Sequence, residues 1–376
     1  MNLSEVVDQI IKLREQGATD GQMAEFLAST LRDAGAQAQV NAFVFSTHAR
    51  TAVGMVVLLL AATFVAGALK RRHRIACSAA LAIPLILLFE VWLDVRVVSW
   101  PITKTAGNVI AQFPVQNPAR TVVVGAHYVS AHMPPGEFSL AVSAFLLPIT
   151  VVMTVLGIWQ LLNCFGKLKS EDSRTIMTMM GAACVAYFGV WFADGLMRRD
   201  ASADPAYNAG SIAVLVGLAR DLSNRYPKLQ NTSVTVAFFG EVGAEAYGAR
   251  ALARRLENRE DRAAPLYFIG CKELGGGGPH AFVIPEDQPP GISYADRDLT
   301  RVLNRAAVSV SGSRFETVSS TITDADGFVE RGFPSVTITT ASGPERETPG
   351  MDRAQLLVSL QLLEKALLEF ERPGPL

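Results

Sequence analysis

Five ionisable side chains stand where strands are expected to end: His127 after "VVVGA", Glu241 after "VAFFG", Glu273 after "FIGCK", Asp324 in "TDADGF" and Glu347 in "ERETPGMD". A histidine grouped with carboxylates has the makeup of a zinc site for hydrolysis: the ion acidifies a water and polarises a carbonyl while a carboxylate shuttles the proton. The same groups without a metal suit acid–base catalysis, because crowded carboxylates repel and one of them is pushed towards a working pKa. Solvated or Arg-paired carboxylates with no chemistry are the plain alternative. The glycine run Gly275–Gly278, followed by Pro279 and His280, lacks the lysine and the helix opening of a phosphate-binding loop.

The elements that must position these groups are read from periodicity. Residues 3–34 carry apolar side chains at helical spacing (Val6, Ile10, Leu13, Met23, Leu27, Leu31), and "DAGAQAQVNAFVF" runs from a turn into a strand. "GNVIAQF" and "RTVVVGAH" predict two strands joined by a Pro/Asn turn. From "GSIAVLVGLARDLSNRY" onward, helices alternate with the strands "TSVTVAFFG", "PLYFIGCKEL", "AFVIPED" and "FPSVTITT", and a last helix runs from about Asp352 to Phe370. Such alternation predicts an α/β fold, a mostly parallel central sheet covered by helices on both faces, with functional groups at the carboxyl ends of strands.

The chain is 376 residues long, 49% hydrophobic, with a mean hydropathy of +0.25. This is too apolar for a purely soluble enzyme. Four segments, about 52–69, 75–93, 140–162 and 176–196, have the roughly 20 apolar residues that span a bilayer. They pair as two transmembrane hairpins, 51–99 and 140–196, inserted into one domain made of 1–50, 100–139 and 197–376. Both hairpin tips, 70–74 and 163–174, carry an excess of Lys and Arg, which predicts a cytoplasmic location for the tips and an extracytoplasmic one for the α/β domain of this multi-pass protein. The lipid bilayer is thus a partner. A formal net charge of −1 offers no field for nucleic acid, and the four cysteines form no disulfide framework or metal motif. Glu90, late in the second apolar segment, is expected to snorkel towards the membrane boundary.

The order of these segments resembles the co-catalytic zinc aminopeptidase family, to which glutaminyl cyclases are related. The resemblance rests on "NVIA" at Asn108–Ala111, the "vvvgAHyDs" pattern at Val122–Ser130, "AYNAGSIAVLVGLARDL", "TVAFFGEVGAEAYGARAL", "TDADGFVERGFPSVTI" and "ETPGMD". It implies an aminopeptidase-like three-layer fold and a peptide-like or lipophilic amide or acyl substrate. Carried over position by position, it implies a degraded metal site. His127 keeps the first histidine ligand, and Glu273 the later acidic one. The aspartate that orients the histidine falls at Val129, the bridging aspartate at Tyr207, and the final histidine at Glu347. Only Glu241 remains of a Glu-Glu pair, and Asp324 keeps the aspartate of the "sDh" pattern.

The expected site is therefore His127, Glu241 and Asp324 as catalytic groups, with Tyr207, Asn208 and Glu347 binding substrate. His127 and Glu273 would hold a single zinc ion if any metal is present. Hydrolysis, cyclisation and acyl transfer stay open, as do a single-zinc exopeptidase and a pseudoenzyme that binds a peptide or partner without turnover.

Overall fold

The computed structural model describes residues 2–45, 49–93, 95, 97–99, 103–129, 145–164, 171–197, 205–224, 229–241, 246–258, 264–285, 294–320, 323–340 and 352–372. The chain divides into two compact units. One comprises Met1–Phe43, Thr105–Pro134 and Ser202–Leu376; the other comprises Val44–Lys104 and Pro135–Ala201.

The first unit opens with α1 (Leu3–Glu15) and α2 (Asp20–Asp33), each started by a capping box, Asn2 with Glu5 and Thr19 with Gln22. The strands are β1 (Ala38–Phe45), β2 (Lys104–Phe113), β3 (Arg120–His127), β4 (Thr232–Phe239), β5 (Leu266–Lys272), β6 (His280–Pro285), β7 (Glu316–Ser320) and β8 (Ser335–Thr340). They form one sheet in the order β1-β2-β4-β3-β5-β8-β6-β7. β4, β3, β5 and β8 run parallel as consecutive neighbours, and so do β6 and β7; β2 against β4 and β6 against β8 are antiparallel. β7 has too little apolar alternation to be legible in the sequence.

Strand alternation sorts the core onto two faces. Val122, Val124 and Ala126 of β3 join Ile269 and Cys271 of β5 on one face, while Val123 joins Phe268 and Phe239 on the other. The first face is covered by α1, α2, α7 (Ala209–Asn224), α9 (Arg297–Ser311) and α11 (Arg353–Phe370), the second by α8 (Tyr247–Glu257) and α10 (Asp326–Val329). This is a three-layer α/β/α fold with a mostly parallel sheet. Gly125 makes room on the second face: a Cβ there would lie 2.5 Å from the Phe239 ring.

The second unit holds α3 (Ala49–Leu69), α4 (His73–Leu87), α5 (Leu146–Cys164) and α6 (Glu171–Met197). All four helices are long and apolar enough to cross a membrane, over Thr51–Leu69, His73–Glu90, Leu146–Cys164 and Thr175–Ala193. The expected start of the third span, 140–144, lies outside the described residues. α3 and α4 pack as a hairpin. α5 packs mainly along α4 and α6 along α3, while α5 and α6 meet at few points, among them Gln160 Nε2 and the Met177 sulfur (3.4 Å). Small residues permit these approaches, for a Cβ on Gly157 would lie 2.6 Å from Leu81 and one on Gly181 2.6 Å from Phe64. Glu90, expected to snorkel, has partners within its own unit. Its carboxylate accepts hydrogen bonds from Val98 N, from Ser99 N (3.0 Å) and from Ser99 Oγ (2.8 Å), pinning the chain that leaves the helix.

Candidate active site

Because β4, β3 and β5 are parallel neighbours, their carboxyl ends open on one edge of the sheet. His127 is the last residue of β3, Glu241 lies two residues beyond β4, and Glu273 follows β5 directly. Asp324 arrives from a distant part of the chain, just before α10.

His127 and Asp324 form the centre. Nδ1 of the ring lies 3.0 Å from Oδ2 of the carboxylate, and both side chains are only 4% exposed. A carboxylate only accepts, so Nδ1 donates and the lone pair of the neutral ring is on Nε2. Nε2 is buried and has no hydrogen-bond partner among the described residues. The reading of Val129 as the lost orienting residue needs correction in its consequence: Asp324 orients the ring instead. Val129 packs against the apolar core.

Tyr207 lies beside this pair. Its ring stacks on the imidazole with centroids 5.2 Å apart and planes 26° apart. Burial pushes the phenol well above its ordinary pKa, the Glu273 and Asp324 carboxylates push the same way, and a hydrogen bond to Glu273 adds to it. Tyr207 is therefore a protonated donor at any working pH. Asn208 is bonded on both sides of its amide: Nδ2 donates to the carbonyl of His127 (2.8 Å) and Oδ1 accepts from Glu273 N (2.8 Å). It braces the ends of β3 and β5 together.

A second asparagine does the same for Glu241. Asn108 donates to Gly248 O (2.7 Å) and accepts from Gly240 N (3.1 Å), fixing the residue before Glu241 and the start of α8. Side chains are excluded from this crossing, since a Cβ on Gly248 would lie 2.4 Å from Gly240 O. Asn208, Glu241 and Glu273 all adopt left-handed backbone, with φ of 57°, 50° and 51°. Such conformations cost a non-glycine residue about 1–3 kcal/mol each and gather at functional sites.

Sequence reasoning missed Arg14. From the end of α1, its guanidinium donates to the carbonyls of Tyr128 (2.6 Å), Pro205 (2.9 Å) and Tyr207 (2.5 Å), clamping the two segments that carry His127 and Tyr207. Nothing in a local pattern marks a helical arginine for that task. His280 is remote from this cluster in its bonding. It lies between Ser359 Oγ (2.8 Å) and Gln355 Nε2 (3.4 Å) on α11, and burial lowers its pKa to about 4. Glu347, expected to bind substrate, lies outside the described residues.

The donor set bears on metal binding. His127 Nε2 is a ready ligand with a carboxylate behind it, as metal-bound histidines have. Among the described residues, however, no three His, Cys, Asp or Glu side chains converge on one point, and Glu273, the second expected ligand, accepts a hydrogen bond from the Tyr207 phenol. The described residues by themselves fall short of the three or four ligands usual for zinc.

No protein-family model and no curated protein matches the sequence. Solved structures do match. The glutaminyl cyclase of Fimbriiglobus ruber superposes with a TM-score of 0.52 at 10% identity, over 98% of this chain and 94% of that one. The LapA aminopeptidase of Legionella pneumophila does so with a TM-score of 0.51 at 9% identity, over 98% and 71%. An aminopeptidase from Aneurinibacillus sp. strain AM-1 aligns at 17% identity with a TM-score of 0.45, and there the chain spans half of the other's length. The chain thus has the fold seen in aminopeptidases and glutaminyl cyclases.

Proposed function

We propose that this protein is a membrane-inserted enzyme of the aminopeptidase and glutaminyl cyclase fold whose His127, oriented by Asp324, moves the proton during hydrolysis, cyclisation or acyl transfer at an amide or acyl carbonyl. The observation that carries the reading is the buried His127–Asp324 pair with its unpartnered Nε2. A neutral imidazole so held takes a proton from the attacking water or amine, Asp324 stabilises the imidazolium, and Nε2 returns the proton to the leaving group. Tyr207 supplies a hydrogen bond to the developing oxyanion once it releases Glu273, and Glu241 and Glu273 offer negative charge to a substrate amine. The substrate is peptide-like or lipophilic, and no step needs zinc.

The four apolar helices are the membrane spans, two pairs that return the chain each time to the side it left. The α/β domain then lies on one side, outside the cytoplasm by the basic tips. Binding without turnover is a second reading, favoured by the ring of Tyr207 lying over His127 and its hydroxyl occupying Glu273.

The test uses the full chain purified in detergent, offered N-terminal glutaminyl peptides, aminoacyl anilides and acylated amides. Turnover is expected to survive a chelator and to fall about 100-fold or more in His127→Ala. Turnover abolished by chelation and restored by zinc, or unchanged in His127→Ala, overturns the mechanism. Absence of turnover with retained, His127-independent binding of the same compounds favours the second reading.

A further inference from the structure

We infer that the turn between α3 and α4 is a binding site for the headgroups of anionic phospholipids, an inference that rests on reading α3 to α6 as membrane spans. Five consecutive basic residues, Lys70 to Arg74, close the hairpin of two apolar helices. The turn is tight. Lys70 N and Arg72 N return to the carbonyls of Ala66 (3.1 Å) and Gly67 (2.8 Å), Arg71 takes the left-handed conformation with φ 56°, and a Cβ on Gly67 would lie 3.0 Å from Ala76 N. So short a connection gives its side chains little to pack on, and Lys70, Arg71, Arg72 and Arg74 are exposed. His73 differs: Nδ1 lies 2.9 Å from Gln160 Oε1 of α5, and Gln160 Nε2 reaches the sulfur of Met177 on α6 (3.4 Å). The imidazole ties the tip to α5, and Gln160 carries the link on to α6, while the side chains of Lys70, Arg71, Arg72 and Arg74 are exposed.

Helix electrostatics explains only part of this charge. Lys70 and Arg71 follow the C-terminal end of α3, where cations are favourable; Arg72 and Arg74 stand at the N-terminal end of α4, where they are not. No carboxylate stands in the first turn of α4 to offset them. Among the described residues Lys70, Arg72 and Arg74 have no ion-pair partner. Cations at the end of a membrane hairpin lie at headgroup depth, where lipid phosphate is the abundant anion. The cations are flanked by exposed Leu69 and Ile75, 49% and 42% accessible. A phospholipid answers both features, with its phosphate on the cations and its acyl chain on the leucine and isoleucine; a free phosphate answers only one.

The full chain is reconstituted into phosphatidylcholine membranes, and its association with spin-labelled phosphatidylglycerol is measured against spin-labelled phosphatidylcholine. The wild type is expected to prefer phosphatidylglycerol several-fold at low salt and to lose most of that preference at high salt. In the triple variant Lys70→Gln, Arg72→Gln, Arg74→Gln the ratio is expected near one. These substitutions are exposed, and unchanged helicity and carbonate-resistant insertion of the variant show that it is folded in the membrane. Equal preference in wild type and variant, or none in the wild type, overturns the inference. Wild-type chain extracted by carbonate from phosphatidylcholine vesicles overturns the membrane reading instead, and this inference with it.

Discussion

Asp324 and His127 are 197 residues apart in the chain, yet their side chains meet at 3.0 Å in a buried pair. One end of the imidazole is thereby committed, and the other is left as the available base. Asp324→Asn keeps the shape but replaces an acceptor-only group by one that also donates, so the ring is no longer held in one tautomer. The expected result is a loss of turnover of about 100-fold to 10,000-fold with little change in KM. Steady-state kinetics with a thermal melt separates this from unfolding, and wild-type kcat in the variant would remove Asp324 from the mechanism.

Asn208 spans the ends of β3 and β5 with one amide. Asn208→Ala leaves the His127 carbonyl and the Glu273 N–H buried without that partner, and should destabilise the domain by about 2–4 kcal/mol. Asn208→Asp keeps the acceptor for Glu273 N–H but loses the donor to His127 O and adds a charge near Glu273, so it should not rescue. Denaturant titration measures both.

Burial holds the folded-state pKa of His280 near 4, against 6.5 for the free group. Between these values the unfolded chain binds a proton that the folded chain refuses. Taken alone, this group lowers stability as pH drops from about 6.5 to about 4, by about 3 kcal/mol, and adds no further loss below. Asp326 works with the opposite sign: burial raises it from 3.8 to about 6, so its contribution is fully present below 3.8 and is lost as pH rises through 6. The two contributions nearly cancel in the wild type, so His280→Gln should leave a stability that rises as pH falls from about 6.5 to 4, and Asp326→Asn one that falls over the same range. Melting temperatures across pH 4 to 7 check the pair.

Tyr207 stacks on His127 and holds Glu273 by its hydroxyl. Replacing the phenol with a carboxylate would set a third donor beside His127 Nε2 and Glu273, the minimum for a zinc site. Tyr207→Asp is expected to bind about one zinc ion per chain by elemental analysis, and Tyr207→Phe is expected to gain none. Equal zinc in both variants and the wild type would mean that Tyr207 does not decide metal binding.

What the sequence by itself determined is what local pattern can carry. The two-residue alternation of β3, β4 and β5 and the turn residues after them set which side chains stand at strand ends, so His127, Glu241 and Glu273 were identifiable as a group. The four apolar runs were identifiable because a helix with no polar face has few places to go. The tertiary structure decided what those residues touch. Asp324 in place of a nearby acid behind His127, Tyr207 stacked on the ring, the two asparagine braces and the Arg14 clamp from α1 all join segments far apart in the chain. The same holds in the apolar unit, where packing sets α5 mainly against α4 and α6 mainly against α3. Strand and helix periodicity report only whether a residue faces a core; its partner depends on where the backbone brings other elements, and many side chains of equal polarity satisfy the same pattern.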